Sequence, residues 1–235
     1  MKLLLENWRE YIKEERERRV NIFLDMDGVL VNFPDTVKAE IKKNNLLPAE
    51  EVHPTSKSGR AVLRKLQNLQ RSSEQIEDLY NQVEVKFQEG EPYNQDEKIM
   101  GSYIFKVLTN NKGLWLRMEE LDGAAALVDE VFNLADEVFV LTAQVDDQSE
   151  EAKREWIGSH FPQINPDNIN VDRDKGGRLR QLIGDGAVSE DDLNILIDDR
   201  TKFLNSFINA GGTGIQYDHR SPNVAIEELK AVVGN

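Results

Sequence analysis

Cysteine is absent from the 235-residue chain. Its absence removes disulfides, thiolate zinc sites and cysteine nucleophiles together. Histidine is scarce. His53, His160 and His219 are scattered without metal-ligand spacing, so each is read as a surface or loop residue. Long apolar runs are missing too, and nothing approaches the roughly 18–20 residues that span a bilayer. Residues 1–19 pair a short apolar patch with both signs of charge, unlike a secretory leader or an acid-poor transit peptide. The cytoplasm is the expected location, with no membrane partner. Positive charge is in deficit: 29 Lys and Arg face 43 Asp and Glu, a net charge of −14. That balance argues against a duplex nucleic-acid surface, which needs a basic face. It still permits a small phosphate ligand, because a few basic residues or a cation can reverse the potential inside one pocket.

What is present is organised around residues 21–33, NIFLDMDGVLVNF. Ile22, Phe23 and Leu24 form a short apolar run closed by Asp and Gly, the pattern of a buried strand. Asp25 and Asp27 stand at its C-terminal end, where ligands bind in a parallel α/β sheet. Two carboxylates so close repel unless a positive charge lies between them. A hard divalent cation supplies it, and Mg²⁺ is the usual choice beside phosphate. The plainer reading is ordinary turn chemistry after a strand. The rest of the chain decides between them.

Residues 3–19 read as an amphipathic helix (Leu4, Leu5, Trp8, Tyr11, Ile12) that packs on the domain or mediates self-association. After Pro34 the pattern becomes helical at 35–44, 60–70, 73–89 and 95–108, with breakers between. This is an insertion without a long strand. From 115 onward strand and helix alternate: helix 123–135, strand 137–142, helix 149–160, strand 168–171, helix 176–183, strand 193–197, helix 201–210, strand 215–217 and helix 223–233. Strict alternation implies a doubly wound parallel α/β sheet. Gly211 to Gly214 lacks the Gly-Lys-Ser/Thr ending of a Walker loop and reads as a turn. The expected organisation is an N-terminal helical extension (1–20), a core from 21–34 and 115–235, and an all-helical cap (35–114).

Three strand tips carry compatible chemistry: Asp25 and Asp27 on the first, Thr142 on the second, Asp198 and Asp199 on a later one. Lys153 lies on the helix after the second strand. A parallel sheet gathers such tips on one edge. A carboxylate can attack phosphorus, a second can act as acid and then base, and a hydroxyl and an ammonium can neutralise phosphoryl oxygens.

FLDMDGVLVNF at 23–33, VFVLTA at 138–143, Lys153 and ILIDDR at 195–200 resemble the motifs of the haloacid dehalogenase superfamily of phosphotransferases. With GLWLRMEELDGAAALVDEV at 113–131, KREWI at 153–157 and NVDRDK at 170–175, the chain resembles the 5′(3′)-deoxyribonucleotidases within it. The resemblance implies a Rossmann-like core and a Mg²⁺-dependent phosphomonoesterase acting on nucleoside monophosphates through an aspartyl-phosphate. It implies Asp25 as nucleophile and metal ligand, and Asp27 as acid/base whose backbone carbonyl also meets the metal. Asp198 is the acidic metal ligand, with Asp199 supporting it. Thr142, Lys153 and the Ala143 backbone hold the phosphate, Arg173 and Lys175 flank it, and Phe33 and Trp115 wall the nucleoside pocket.

The chain departs from the family pattern at Ala143 and Gln144, where Ser and Pro are usual, and in a longer segment between Lys175 and Asp198 that includes residues 184–192. The partner expected is a small-molecule phosphate ester. Two alternatives stand beside the nucleotide: another ester, such as a sugar phosphate or nucleic-acid end, and a non-catalytic acidic binding module. The sequence does not specify an oligomer.

Overall fold

A computed structural model describes residues 18–43, 57–89, 91–109, 111–143 and 147–234. The expected N-terminal helix, apart from its last residues, and positions His53 and Gln144 lie outside these residues. The chain begins with strand β1 (Val20–Leu24). Among the described residues five α-helices follow: α1 (Phe33–Lys43), α2 (Lys57–Gln67), α3 (Ser73–Glu89), α4 (Gln95–Tyr103) and α5 (Lys112–Leu116). The alternation then runs α6 (Ala124–Leu134), β2 (Glu137–Thr142), α7 (Asp147–His160), β3 (Ile169–Val171), α8 (Lys175–Gly184), β4 (Leu193–Asp198), α9 (Thr201–Ile208), β5 (Thr213–Gln216) and α10 (Pro222–Val233).

The five strands form one parallel sheet in the order β3-β2-β1-β4-β5. The expected α/β class, with a helical insertion after the first strand, is what the structure has. Residues alternate faces along β1 as strand geometry requires. Ile22 and Leu24 join the larger core beneath α6, α7 and α10, with Leu127, Val131, Trp156 and Leu229. Phe23 joins the smaller core on the other face with Leu179, Leu182, Leu204 and Phe207 of α8 and α9. There Phe23 stacks on Phe139 at 4.6 Å and meets Phe207 edge-on at 5.3 Å. Both faces are covered, as a parallel sheet demands.

Most boundaries shift by one or two residues, and four differences have a local cause. The helix expected at 60–70 runs Lys57–Gln67, and Gln70 beyond it adopts a left-handed conformation (φ 49°) that a helix does not continue through. The helix expected at 95–108 stops at Tyr103 and continues as a π turn over Ile104–Leu108, with the Thr109 N–H reaching the Ile104 carbonyl at 3.0 Å. No helix was expected between 108 and 115. Instead Asn111 caps α5, its side chain accepting from the Gly113 N–H at 2.9 Å. Thr213 and Gly214, read as a turn, begin β5 against Ile195 and Leu196.

Candidate active site

The chain runs β1 to β2 to β3 in one direction, then crosses back to place β4 on the other side of β1. That reversal opens a crevice at the strand tips. Leu24 pairs with both Val140 and Ile197, so the following residues of β1 and β4, Asp25 and Asp198, come level. The Asp25 N–H donates to the Ile197 carbonyl at 2.9 Å and fixes that register. Gly28 then turns with φ +86°. A Cβ there would lie 2.7 Å from Asp199 Oδ2, so glycine serves both the left-handed turn and the approach of the Asp199 carboxylate.

Two buried lysines answer the acids. Lys153, on α7, donates from Nζ to Asp27 Oδ2 at 2.6 Å, to Thr142 Oγ1 at 2.9 Å and to the Ala143 carbonyl at 2.9 Å. Its ammonium lies 4.7 Å from the centre of the Trp115 ring. Lys175, the first residue of α8, lies 2.8 Å from Asp25 Oδ1 and is hydrogen-bonded to Asp198 Oδ2. Asp174 caps this helix by accepting from the Gly177 N–H at 2.9 Å. Gly176 lets the helix approach α9: a Cβ there would fall 2.3 Å from the Ser206 carbonyl oxygen. These two devices aim Lys175 beneath the strand tips. Burial alone would push its ammonium down, but Asp25 and Asp198 outweigh it and hold the pKa above 10.5.

One oxygen each from Asp25, Asp198 and Asp199 lies within 4.8 Å of the others. Hard cations take such carboxylate sets. Asp199 Oδ1 and Asp27 Oδ1 are buried with no hydrogen-bond partner among the described residues, so the donor set has spare capacity. Burial, followed by the Asp25 charge, pushes the Asp199 carboxyl well above its ordinary value. Asp198 is raised by burial against the pull of Lys175. Asp27 is raised by burial too, against Lys153. Arg200 pulls both Asp27 and Asp199 back down. Four carboxylates thus face three cationic groups, a deficit of positive charge that a divalent ion would reverse. Residues Asp25, Asp198 and Asp199 fit such an ion.

Asp199, expected only to support Asp198, therefore stands level with it, while the Asp27 carboxylate is turned to Lys153. Arg173 is exposed, and Lys175 is wholly buried. Phe33 packs on Trp115 at 5.6 Å, and the fully buried Trp115 donates from Nε1 to the Thr109 carbonyl at 2.8 Å. Of the two aromatics only Phe33 lines the adjoining cavity, about 50 Å³ in volume.

No protein-family model matches the sequence, and no curated protein does. The solved structures do. A haloacid dehalogenase-like family hydrolase from Xanthomonas campestris matches with TM-score 0.50 and 16% identity, over 94% of this chain and 95% of that one. A protein from Lactobacillus delbrueckii subsp. bulgaricus, provisionally named phosphoglycolate phosphatase, matches with TM-score 0.55 and 11% identity, over 93% of this chain and all of that one. A hydrolase from Streptococcus pneumoniae matches with TM-score 0.51 and 13% identity over the same shares. The chain has the haloacid dehalogenase-like fold.

In this fold the cavity opens at Asp27, Gly28, Asp199 and Arg200 of the core and is closed by Tyr80, Val83, Glu84, Ile104 and Phe105 of the insertion. The sequence reading missed these closing residues. Tyr80, Val83 and Glu84 share one face of α3 at i, i+3 and i+4, and that spacing was the available signal. Ile104 and Phe105 open the π turn, a distortion that is frequent at functional sites. Arg200 directly follows the acidic pair. His160 takes no part and stacks on Trp156 at 4.0 Å, while His219 is exposed and its charge reaches Glu84 of the cavity lining. Among the described residues no helix is long and apolar enough to cross a membrane.

Proposed function

We propose that the protein is a Mg²⁺-dependent phosphomonoesterase that works through an aspartyl-phosphate on Asp25. The observation that carries this reading is the trio Asp25, Asp198 and Asp199 at the crevice, with Asp27 and two buried lysines beside it. Asp25, Asp198 and Asp199 would hold the ion. When bound, Mg²⁺ supplies the positive charge that lets an anionic carboxylate and an anionic phosphate meet.

The chain's own groups do the rest. An Asp25 oxygen attacks phosphorus, and the phosphorus–ester oxygen bond breaks as the new bond forms. Asp27 gives its proton to the leaving alkoxide. It then takes a proton from water, which attacks phosphorus and frees Asp25 and phosphate. Thr142, Lys153 and the Ala143 N–H hold the phosphoryl oxygens, and Lys175 steadies the nucleophile. Phe33, backed by Trp115, walls the leaving group, and the exposed Arg173 is assigned the flank of the phosphate.

The substrate proposed from the sequence motifs is a nucleoside monophosphate. The cavity favours a second reading. At roughly 10–15 Å³ per water, 50 Å³ holds only a few waters. Either the leaving group is small, or the helices of residues 35–114 act as a cap that swings out near 34–35 and 112–116 to admit a nucleoside. The test is phosphate release from deoxy- and ribonucleoside monophosphates, sugar phosphates, small alkyl phosphates and p-nitrophenyl phosphate, with Mg²⁺ and with EDTA. Metal-dependent release that Asp25→Asn abolishes supports the chemistry, and the preferred ester separates the two substrates. Folded protein that releases phosphate from none of them sinks the reading.

A further inference from the structure

The cavity beside Asp27 is lined by charges of both signs, among them Arg200 and Glu84. Arg200 lies at the strand tips, where it acts on Asp27 and Asp199 and sits 5.3 Å from the Phe203 ring. Glu84, on α3, lines the same cavity, whose lining also includes Phe33, Tyr80 and Phe105. Among the described residues no group donates a hydrogen bond to the Glu84 carboxylate. The nearby cation Lys38 is paired with Glu77 at 3.1 Å, and the Tyr80 hydroxyl is spent on the Pro34 carbonyl at 2.9 Å. Among the described residues Glu84 is therefore an acceptor without a donor, in a cavity lining that also holds three aromatic rings.

Resting on the phosphatase reading, we propose that Glu84 selects the leaving alcohol: the ester hydrolysed carries an N–H donor or ammonium on its alcohol, and esters with a carboxylate there are rejected. A carboxylate brought against Glu84 in a partly desolvated pocket meets like charge and gains no hydrogen bond. An N–H meets its acceptor, and an ammonium gains the aromatic faces as well. Burial, with Asp35 beside it, pushes the Glu84 carboxyl up, against the pull of Lys38 and His219, as expected for a carboxylate lacking a close partner. The N–H has two sources of one chemistry, an alkylammonium and a nucleobase.

The experiment measures kcat/KM for 2-aminoethyl phosphate, 2-phosphoglycolate and deoxycytidine monophosphate, with p-nitrophenyl phosphate as reference, in wild type, Glu84→Gln and Glu84→Lys. The expected result is at least a tenfold preference for an N–H ester over 2-phosphoglycolate. Glu84→Gln should cut that ratio about tenfold and Glu84→Lys should reverse it. Because the readout is a ratio within each variant, a general loss of activity does not mimic it. Preference for 2-aminoethyl phosphate names the ammonium as the source, and preference for the nucleotide names the base. A ratio near one in wild type, a ratio unmoved in both variants, or turnover of p-nitrophenyl phosphate alone overturns the inference. Hydrolysis of nothing by folded protein overturns the phosphatase reading instead, and this inference with it.

Discussion

Lys175→Met is the most informative single change at the strand tips. Methionine keeps most of the unbranched stem and removes the ammonium that stands between Asp25 and Asp198. All three side chains are buried: Lys175 and Asp198 wholly, Asp25 to within 4%. Breaking a buried ion pair by deleting one partner costs about 3–5 kcal/mol, because the remaining charge is left uncompensated. A domain stable by roughly 5–15 kcal/mol loses a large fraction of its stability. At about 2–4 °C per kcal/mol for a chain of this size, melting should fall by roughly 6–20 °C in EDTA. The wild-type ammonium has its pKa raised above 10.5, so its contribution is fully present below that value and disappears only as pH rises beyond it.

Urea unfolding in EDTA measures the loss. Two controls follow from the same geometry. Asp198→Asn added to Lys175→Met removes one of the two orphaned charges and should restore part of the stability. Mg²⁺ at a hundred times its Kd should return about 2.7 kcal/mol by mass action. A loss below about 1 kcal/mol in EDTA would refute the claim that Lys175 compensates these carboxylates.

Gly28→Ala puts a methyl into a left-handed turn and against Asp199 Oδ2, a strain of about 1–3 kcal/mol. We expect weaker Mg²⁺ binding by calorimetry, and wild-type affinity would contradict the packing. Asp192→Ala removes the acceptor for the Asn21 amide at 3.2 Å and the Ser189 N–H at 2.8 Å, at the end of the sheet opposite the site. It should cost about 1–3 kcal/mol in urea unfolding while leaving turnover well below the melting point intact. Glu97 closes a capping box on α4 and accepts from Lys86 at 2.9 Å, and its carboxyl is held below 4.5, first by the Asn94 N–H. Its stabilisation is present above pH 4.5 and lost as pH falls through the lower folded value. Melting curves at pH 5 and pH 3 should show a steeper drop for wild type than for Glu97→Gln, and equal drops would count against the cap.

Strands β1, β2 and β4 were readable because each carries a short apolar run, and the parallel arrangement followed from the alternation of strands with helices. The acids at the tips were readable for the same reason: a strand that ends in Asp must end at an edge. Lys175 was harder. It lies 33 positions beyond Thr142, and its place under Asp25 depends on how α7 and β3 return the chain, which local spacing does not encode. Asp199 was expected to support Asp198, and its place beside Asp25 depends on Gly28 leaving room for its carboxylate, which local spacing does not encode. The cavity wall on α3 was hidden for another reason. Tyr80, Val83 and Glu84 look like any amphipathic face until the helix is known to lie over the crevice. The short helix α5 was missed because Asn111 and Gly113 serve equally as breakers and as a cap.

The central claim is covalent: Asp25 accepts the phosphoryl group. Its most direct measurement is acid-quenched mass spectrometry of the Mg²⁺-loaded protein mixed with a turned-over phosphomonoester, with peptides mapped across residues 18–33. The account predicts one phosphoryl group on the peptide holding Asp25 in wild type, accumulating further in Asp27→Asn if that change slows the water step, and absent in Asp25→Asn. Steady turnover by Asp25→Asn, or a phosphoryl group trapped on any other residue, would contradict it.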